Sequence, residues 1–335
     1  MNRFIKSSAF GIFKTLGVYR RLRNRHRDKA VVLTYHGILP EIPHDGSDYG
    51  YRNFVTTRQF ESHIQLLLKY YRPLKAADFY EPDNDISRGF LITFDDGFRN
   101  NYRYAAPILQ KYGIQGCFFI TTSLVNTRNF IWTEEITNLI LKTRKPSADI
   151  PVVSSNPFPL KTVAQREHAS LAIRTKLKNI PLQARQTAMA ELREQLSDVP
   201  AELQPDEEER YLFMTWDEVR GMVEAGQLIG SHTHAHPMLT TLTEAESLAE
   251  LQKSKDLLEM HTGVPCLTMS YPNGEAENFN EIHIQQLREL GYRCAFSQIP
   301  LFNVKNADIF KLHRINVPQK MPLSMVEAAL CGFVK

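Results

Sequence analysis

Cysteine is scarce in this 335-residue chain and never paired in sequence: Cys117, Cys266, Cys294 and Cys331 stand far apart, with no Cys-x-x-Cys. That excludes a zinc knuckle and a disulfide-stapled scaffold, and it fits a reducing compartment. Long apolar runs are missing as well. The best N-terminal stretch, residues 9–19, is interrupted by Lys14 and falls short of the roughly 20 residues a spanning helix needs. Its densest basic run, residues 20–29, follows the apolar part, the reverse of a secretory leader, so secretion is not expected. Low-complexity segments and internal repeats are absent too.

What is present is an ordinary globular composition, 43% hydrophobic, 23% charged and 10% aromatic. This is enough for one large α/β domain of roughly 250 residues with an appendage, or for two average domains. Charge is unevenly spread. Residues 1–30 carry nine Lys/Arg against the single Asp28, a balance of +8, so a chain of net +3 leaves −5 on the remainder. Read as a helix, this tail puts Ile5, Ala9, Ile12, Phe13, Leu16 and Tyr19 on one face. A basic amphipathic tail of this kind can lie on a membrane surface or pack on its own domain, and both readings stay open. The expectation is a cytoplasmic protein, peripheral to the inner face of the membrane if the first reading holds. Nucleic acid is not expected as a partner, because the body is acidic and no aromatic-studded basic stripe accompanies the tail.

Seven short apolar runs, residues 31–35, 90–94, 117–120, 228–231, 267–271, 293–297 and 312–317, alternate with helical patterns at 60–71, 102–112, 216–225, 244–261 and 279–290. The alternation predicts βα units around a mostly parallel sheet. Gly113, Gly226, Gly263 and Gly291 lie where helices should stop. The rhythm fails over 126–212, which reads as a helical insertion broken at Pro181. The division expected is a tail over 1–30, a body over 31–125 and 213–335, and the insertion.

Polar residues cluster after the apolar runs: Tyr35-His36-Gly37, Asp95-Asp96-Gly97, Ser231-His232-Thr233-His234-Ala235-His236-Pro237 and Ser270-Tyr271-Pro272-Asn273-Gly274. In a parallel sheet or barrel these are all carboxyl ends, which converge on one mouth. Adjacent carboxylates oppose joint ionisation unless a cation neutralises one of them. His232 and His236, four apart, can reach one ion, and Asp96 can complete a His-His-carboxylate set with open positions. The chemistry that follows is metal-assisted hydrolysis. Asp95 is the candidate general base, His36 the candidate acid, and the backbone N–H of Asn273 the candidate oxyanion donor, since the preceding Pro272 has none. His234, lying between the two ligands, is expected to face away.

Thr93-Phe94-Asp95-Asp96-Gly97 together with Ser231-His232-Thr233-His234-Ala235-His236-Pro237 resembles the first two motifs of the NodB-type polysaccharide deacetylases, the family 4 carbohydrate esterases. The resemblance covers about residues 30–125 and 213–318. It implies a distorted (β/α) barrel, and a mononuclear divalent ion, zinc first with iron, cobalt, nickel or manganese as alternatives. The implied reaction is removal of N-acetyl groups from amino sugars. Carried onto this chain, it makes Asp95 the base and Asp96, His232 and His236 the ligands. The third motif departs from the pattern, because its usual Arg is replaced by Ser270. Arg314 is the candidate substitute partner for the base. The early Thr34-Tyr35-His36-Gly37 element is similar to the rearranged motif order of biofilm poly-N-acetylglucosamine deacetylases, which favours His36 over His313 as the acid. The expected substrate is an N-acetylated polysaccharide or lipid-linked glycan. Two alternatives remain: an inactive carbohydrate-binding protein, which the missing Arg would suit, and a deformylase or other small-acyl amidohydrolase.

Overall fold

The computed structural model describes residues 18–43, 48–200 and 202–333. Most of the predicted N-terminal amphipathic segment lies outside the described residues; its last part forms helix α1 (Val18–Arg25). That helix packs on its own domain. Tyr19 is buried against Ala328 and Cys331, and the Arg23 guanidinium lies 3.8 Å from the Tyr70 ring centroid. Among the described residues no helix is long and apolar enough to cross a membrane.

Seven parallel strands form the body: β1 (Lys29–Tyr35), β2 (Gly89–Phe94), β3 (Gly116–Ile120), β4 (Leu228–Ser231), β5 (Thr268–Ser270), β6 (Cys294–Phe296) and β7 (Ile315–Asn316). From β1 to β6 each strand pairs with the next in sequence, and β7 returns to pair with Leu33 and Thr34 of β1. A bridge between Phe296 and Leu312 joins β6 to the segment entering β7, so the sheet curls back onto its first strand. This is the distorted α/β barrel expected. Two short additions flank it: Asn303–Val304 pairs antiparallel with the start of β1, and Arg72–Pro73 lies beside the start of β2.

The strand residues sort by period two. Val31, Leu33 and Tyr35 of β1 join Phe90, Ile92 and Phe94 of β2 in the cluster shared with the helices. Val32 and Leu91 instead join Phe119, Phe296 and Leu312 in a second cluster. β2 is buried at every position, as a strand covered on both faces must be. The predicted strand at 312–317 shortens to two residues, because Leu312 is used in the closing bridge.

The helices begin where the sequence supplies caps. α2 (Thr57–Tyr70) and, later in the chain, Trp216–Glu224 and Glu244–Thr262 each follow a Thr whose side chain accepts from the third backbone N–H, while a Gln or Glu at that position reaches back. Glu244–Thr262 stops at Gly263, which takes the left-handed φ of 71° that glycine adopts without penalty. The helix expected over 102–112 opens as a wide turn, Asn101–Ala105, before α3 (Ala106–Lys111). Pro107 has no N–H to offer the preceding turn, which accounts for the widening.

The insertion holds α4 (Trp132–Lys142), α5 (Val163–Lys178) and α6 (Leu182–Gln195), with the break at Pro181 as expected. Ile136, Ile140, Ile173, Leu177, Met189 and Leu192 give it a core of its own.

Candidate active site

Asp95 and Asp96 follow the last residue of β2, His232 and His236 follow β4, Asn273 follows β5, and Arg314 immediately precedes β7. The carboxyl ends of β2, β4 and β5 do converge, and Arg314 reaches Asp95 from the amino end of β7. Asp95, Asp96, His36, His232, His236 and Asn273 all line one cleft of about 320 Å³.

The backbone is bent out of ordinary conformations to bring them there. Of seven non-glycine residues with positive φ among the described residues, four belong to this cleft's loops: Asp96 (76°), Thr233 (64°), His236 (55°) and Asn273 (61°). A β-branched Thr in that region is unfavourable by itself, and such outliers persist only where surrounding bonds hold them. The bonds are visible. The Thr233 hydroxyl accepts from the His236 N–H at 3.0 Å, and the Ser231 hydroxyl accepts from the Thr233 N–H at 3.2 Å. The segment is thus a tight loop rather than a helical turn. His234 points elsewhere, its Nδ1 sharing a hydrogen bond with the Thr122 hydroxyl at 3.0 Å.

Asp96, His232 and His236 each offer a ligand atom within 4.8 Å of the others. Both imidazole Nε2 atoms lie 3.6 Å from Asp96 Oδ1. His232 donates its Nδ1–H to the Ser270 carbonyl at 2.8 Å, which fixes the tautomer with a free Nε2 lone pair facing Asp96. The donor set is short of positive charge. Burial, then the neighbouring charges of Asp95 and Glu134, push the Asp96 carboxyl well above its usual range, and burial holds both histidines below theirs. Two neutral imidazoles and a carboxylate arranged in this way are suited to a divalent cation.

Asp95 has the opposite environment. Burial, the largest single influence, would raise its pKa, but the charge and hydrogen bonds of Arg314 together with His232 and His36 outweigh it and hold the carboxyl well below the usual range. The guanidinium grips both oxygens, NH1 to Oδ1 at 2.7 Å and NH2 to Oδ2 at 2.9 Å. Arg314 is wholly buried, and its other N–H groups reach the Ser297 carbonyl, the Thr93 hydroxyl and the Ser270 hydroxyl. The small side chain at 270, where the motif ordinarily carries Arg, therefore leaves room that Arg314 fills from the other side.

His36 lies in the cleft half-buried, with Nδ1 lacking a partner, and burial pushes it down to about 4 against the pull of Asp95. His313 does not line the cleft. The Asn273 N–H is not taken by any backbone carbonyl among the described residues. Tyr35 and Tyr271 are packing residues: the Tyr35 hydroxyl shares a hydrogen bond with His63 Nδ1, and Tyr271 donates to the Phe310 carbonyl.

Several cleft residues were not anticipated. Gln298 donates to Asp95 Oδ2 at 3.1 Å. It follows the end of β6 by two residues, so the strand-end rule that found the others applies to it equally. Arg52, Glu134, Arg174 and Lys178 also line the cleft, the last three from the insertion. Arg52 binds Glu134 through both carboxylate oxygens.

Comparison with known proteins places this geometry. The model of the polysaccharide deacetylase family matches residues 84–170 and 182–295, together more than half of the chain. The Bacillus subtilis (strain 168) protein YxkH is 21% identical over 288 residues, covering 84% of this chain and 72% of YxkH. Among solved structures, the Streptococcus pyogenes deacetylase PplD in complex with acetate shares the fold at a TM-score of 0.57 and 17% identity, covering 90% of this chain and 98% of PplD. IcaB from Ammonifex degensii does so at 0.56 and 18%, covering 91% and 97%. A de-N-acetylase from Aggregatibacter actinomycetemcomitans gives 0.56 and 15%, covering 90% and 100%. The extended match to the family model, over a curled seven-stranded parallel sheet with its motif residues gathered in one cleft, makes this chain a member of the polysaccharide deacetylase family.

Proposed function

We propose that this protein is a metal-dependent hydrolase that removes the N-acetyl group from an amino sugar of a polysaccharide or lipid-linked glycan. The observation that carries the reading is the pairing of two unlike carboxylates, Asp95 clamped by Arg314 and Asp96 facing two imidazoles, at the end of one strand. Asp96, His232 and His236 would hold one divalent ion, with zinc the first choice for such a donor set. When bound, such an ion lowers the pKa of water and polarises a carbonyl.

The chain's own residues supply the rest. Asp95, kept ionised and oriented by Arg314 and Gln298, accepts the proton of the attacking water. The Asn273 N–H donates to the oxyanion as the acetyl carbon becomes tetrahedral. His36, neutral in the resting cleft at neutral pH, takes up a proton from solvent as negative charge develops beside it. It then gives that proton to the sugar nitrogen as the C–N bond breaks, leaving acetate and a free amine, and the proton that Asp95 accepted returns to solvent once acetate has left. Loss of the third-motif Arg was the feature that suited an inactive binding protein, and the Arg314–Asp95 clamp removes that objection.

The test is acetate release from N-acetylated oligosaccharides, with metal content measured beside it. Asp95→Asn is expected to lower turnover by about 10²–10⁴-fold with the metal retained. His232→Ala is expected to lose both. Undiminished turnover in either variant contradicts the assignment. Basic charge in the tail supports attachment to anionic lipid. Full-length chain is expected to pellet with anionic liposomes more than a chain starting at residue 18, which keeps α1; equal pelleting contradicts this.

A further inference from the structure

The insertion brings positive charge to the cleft that the reaction as derived does not use. Arg314 lies wholly buried behind Asp95, and three other cations line the cavity: Arg52, Arg174 and Lys178. Arg52 is occupied by Glu134. Arg174 and Lys178 stand one turn apart on α5, and among the described residues neither has a carboxylate partner. Arg174 is only 8% exposed; its guanidinium gives one N–H to the Tyr49 hydroxyl, and among the described residues its buried Nε has no hydrogen-bond partner. Lys178, half-buried, donates to the side-chain oxygen of Asn273, the residue whose backbone N–H is the proposed oxyanion donor. Asp95 is clamped by Arg314 and Asp96 sits with the histidines. The one carboxylate of the cleft left over is Glu275, which is exposed and receives the Asn273 amide at 3.3 Å.

The nearest carboxylate, Glu134, acts on Arg174 only through space and is already bound by Arg52, so two guanidinium groups share one carboxylate. A buried guanidinium with no hydrogen-bonded carboxylate of its own is costly, and a ligand that completes its coordination offsets that cost. Its rigid fork matches the oxygens of phosphate or carboxylate, and an ammonium one turn away adds a second charge to the same group. We propose that Arg174 and Lys178 receive an acidic substituent, phosphate or carboxylate, carried by the N-acetylated sugar or its immediate neighbour. The cleft thereby selects anionic glycans over neutral ones. This rests on the deacetylase reading for the identity of the sugar. A cavity of about 320 Å³ keeps the acidic group close to the acetyl group. A neutral glycan would displace water from Arg174 and give nothing in return, which makes the discrimination two-sided.

The test is calorimetric binding to the full-length protein, both zinc-loaded and chelated, with N-acetylglucosamine 1-phosphate, N-acetylglucosaminuronic acid and N-acetylglucosamine. At least one acidic probe is expected to bind tenfold or more tighter than the neutral one, with the advantage shrinking as salt is raised. The probe that gains tells phosphate from carboxylate. Arg174→Gln and Lys178→Gln are each expected to cut the acidic-to-neutral ratio fivefold or more, whereas a merely structural defect weakens all three probes together. Should Arg174→Gln not fold, Lys178→Gln, at the last residue of its helix, carries the test. Equal binding of acidic and neutral probes overturns the proposal, as does a preference that survives the substitutions or exists only with zinc present. Acetate release is recorded separately, so failure of the deacetylase reading leaves this result readable.

Discussion

Arg314 determines the state of Asp95. It is buried completely and holds both carboxylate oxygens, so its removal leaves an uncompensated charge in the barrel. Arg314→Met is therefore expected to cost about 3–5 kcal/mol of stability, and to raise the acidic limb of the kcat/KM profile as the Asp95 pKa climbs. Ser270 touches the same guanidinium at 2.6 Å, so the two positions should be coupled. Ser270→Arg added to Arg314→Met is expected to restore part of both losses by supplying the cation from β5; a double variant no better than Arg314→Met alone contradicts this account. Asp95, Asp96, His232 and His236 were legible because their types and strand-end placement state the chemistry directly. Arg314 was legible only as a gap at 270 looking for a filler. Gln298 sits at a strand end like the others, but a glutamine names no chemistry by itself, and its bond to Asp95 becomes apparent only in the folded barrel.

At the scale of elements, α2 is locked onto the barrel through His63, whose ring shares a hydrogen bond with the Tyr35 hydroxyl at 3.1 Å and stacks beside it. Burial lowers His63 to about 4 from its ordinary 6.5. As pH falls through 6.5 the unfolded chain takes up this proton first, so the stabilisation is complete above that pH and is lost progressively toward 4. The loss amounts to about 3 kcal/mol. Denaturant titrations between pH 7 and 4 are expected to show this decline, and His63→Gln, which keeps a polar partner for Tyr35, should flatten it; an unchanged slope in the variant argues against the assignment. Helix starts were readable because the Thr-x-x-Gln/Glu caps act within one turn of chain. The wide turn at Asn101–Ala105 and the two-residue β7 were not, since both are set by what the barrel closure and Pro107 allow.

For the whole molecule, the barrel carries the proposed reacting groups and the insertion carries much of the charge around them. The order of motifs gave the barrel, because parallel strands send their carboxyl ends to one mouth. Sequence showed the insertion as a break in rhythm with its own helices. It did not show that Glu134, Arg174 and Lys178 turn into the cleft, because helical spacing fixes a face but not what that face meets. The account as a whole stands on Asp96, His232 and His236 acting as one cation site that chemistry requires. Its most direct test is to strip the protein with chelator, return zinc in measured fractions, and follow bound metal and acetate release on the same samples. One ion per chain is predicted at saturation, with acetate release rising in proportion to occupancy and absent at zero. Full acetate release from protein holding less than about a tenth of an equivalent would contradict it.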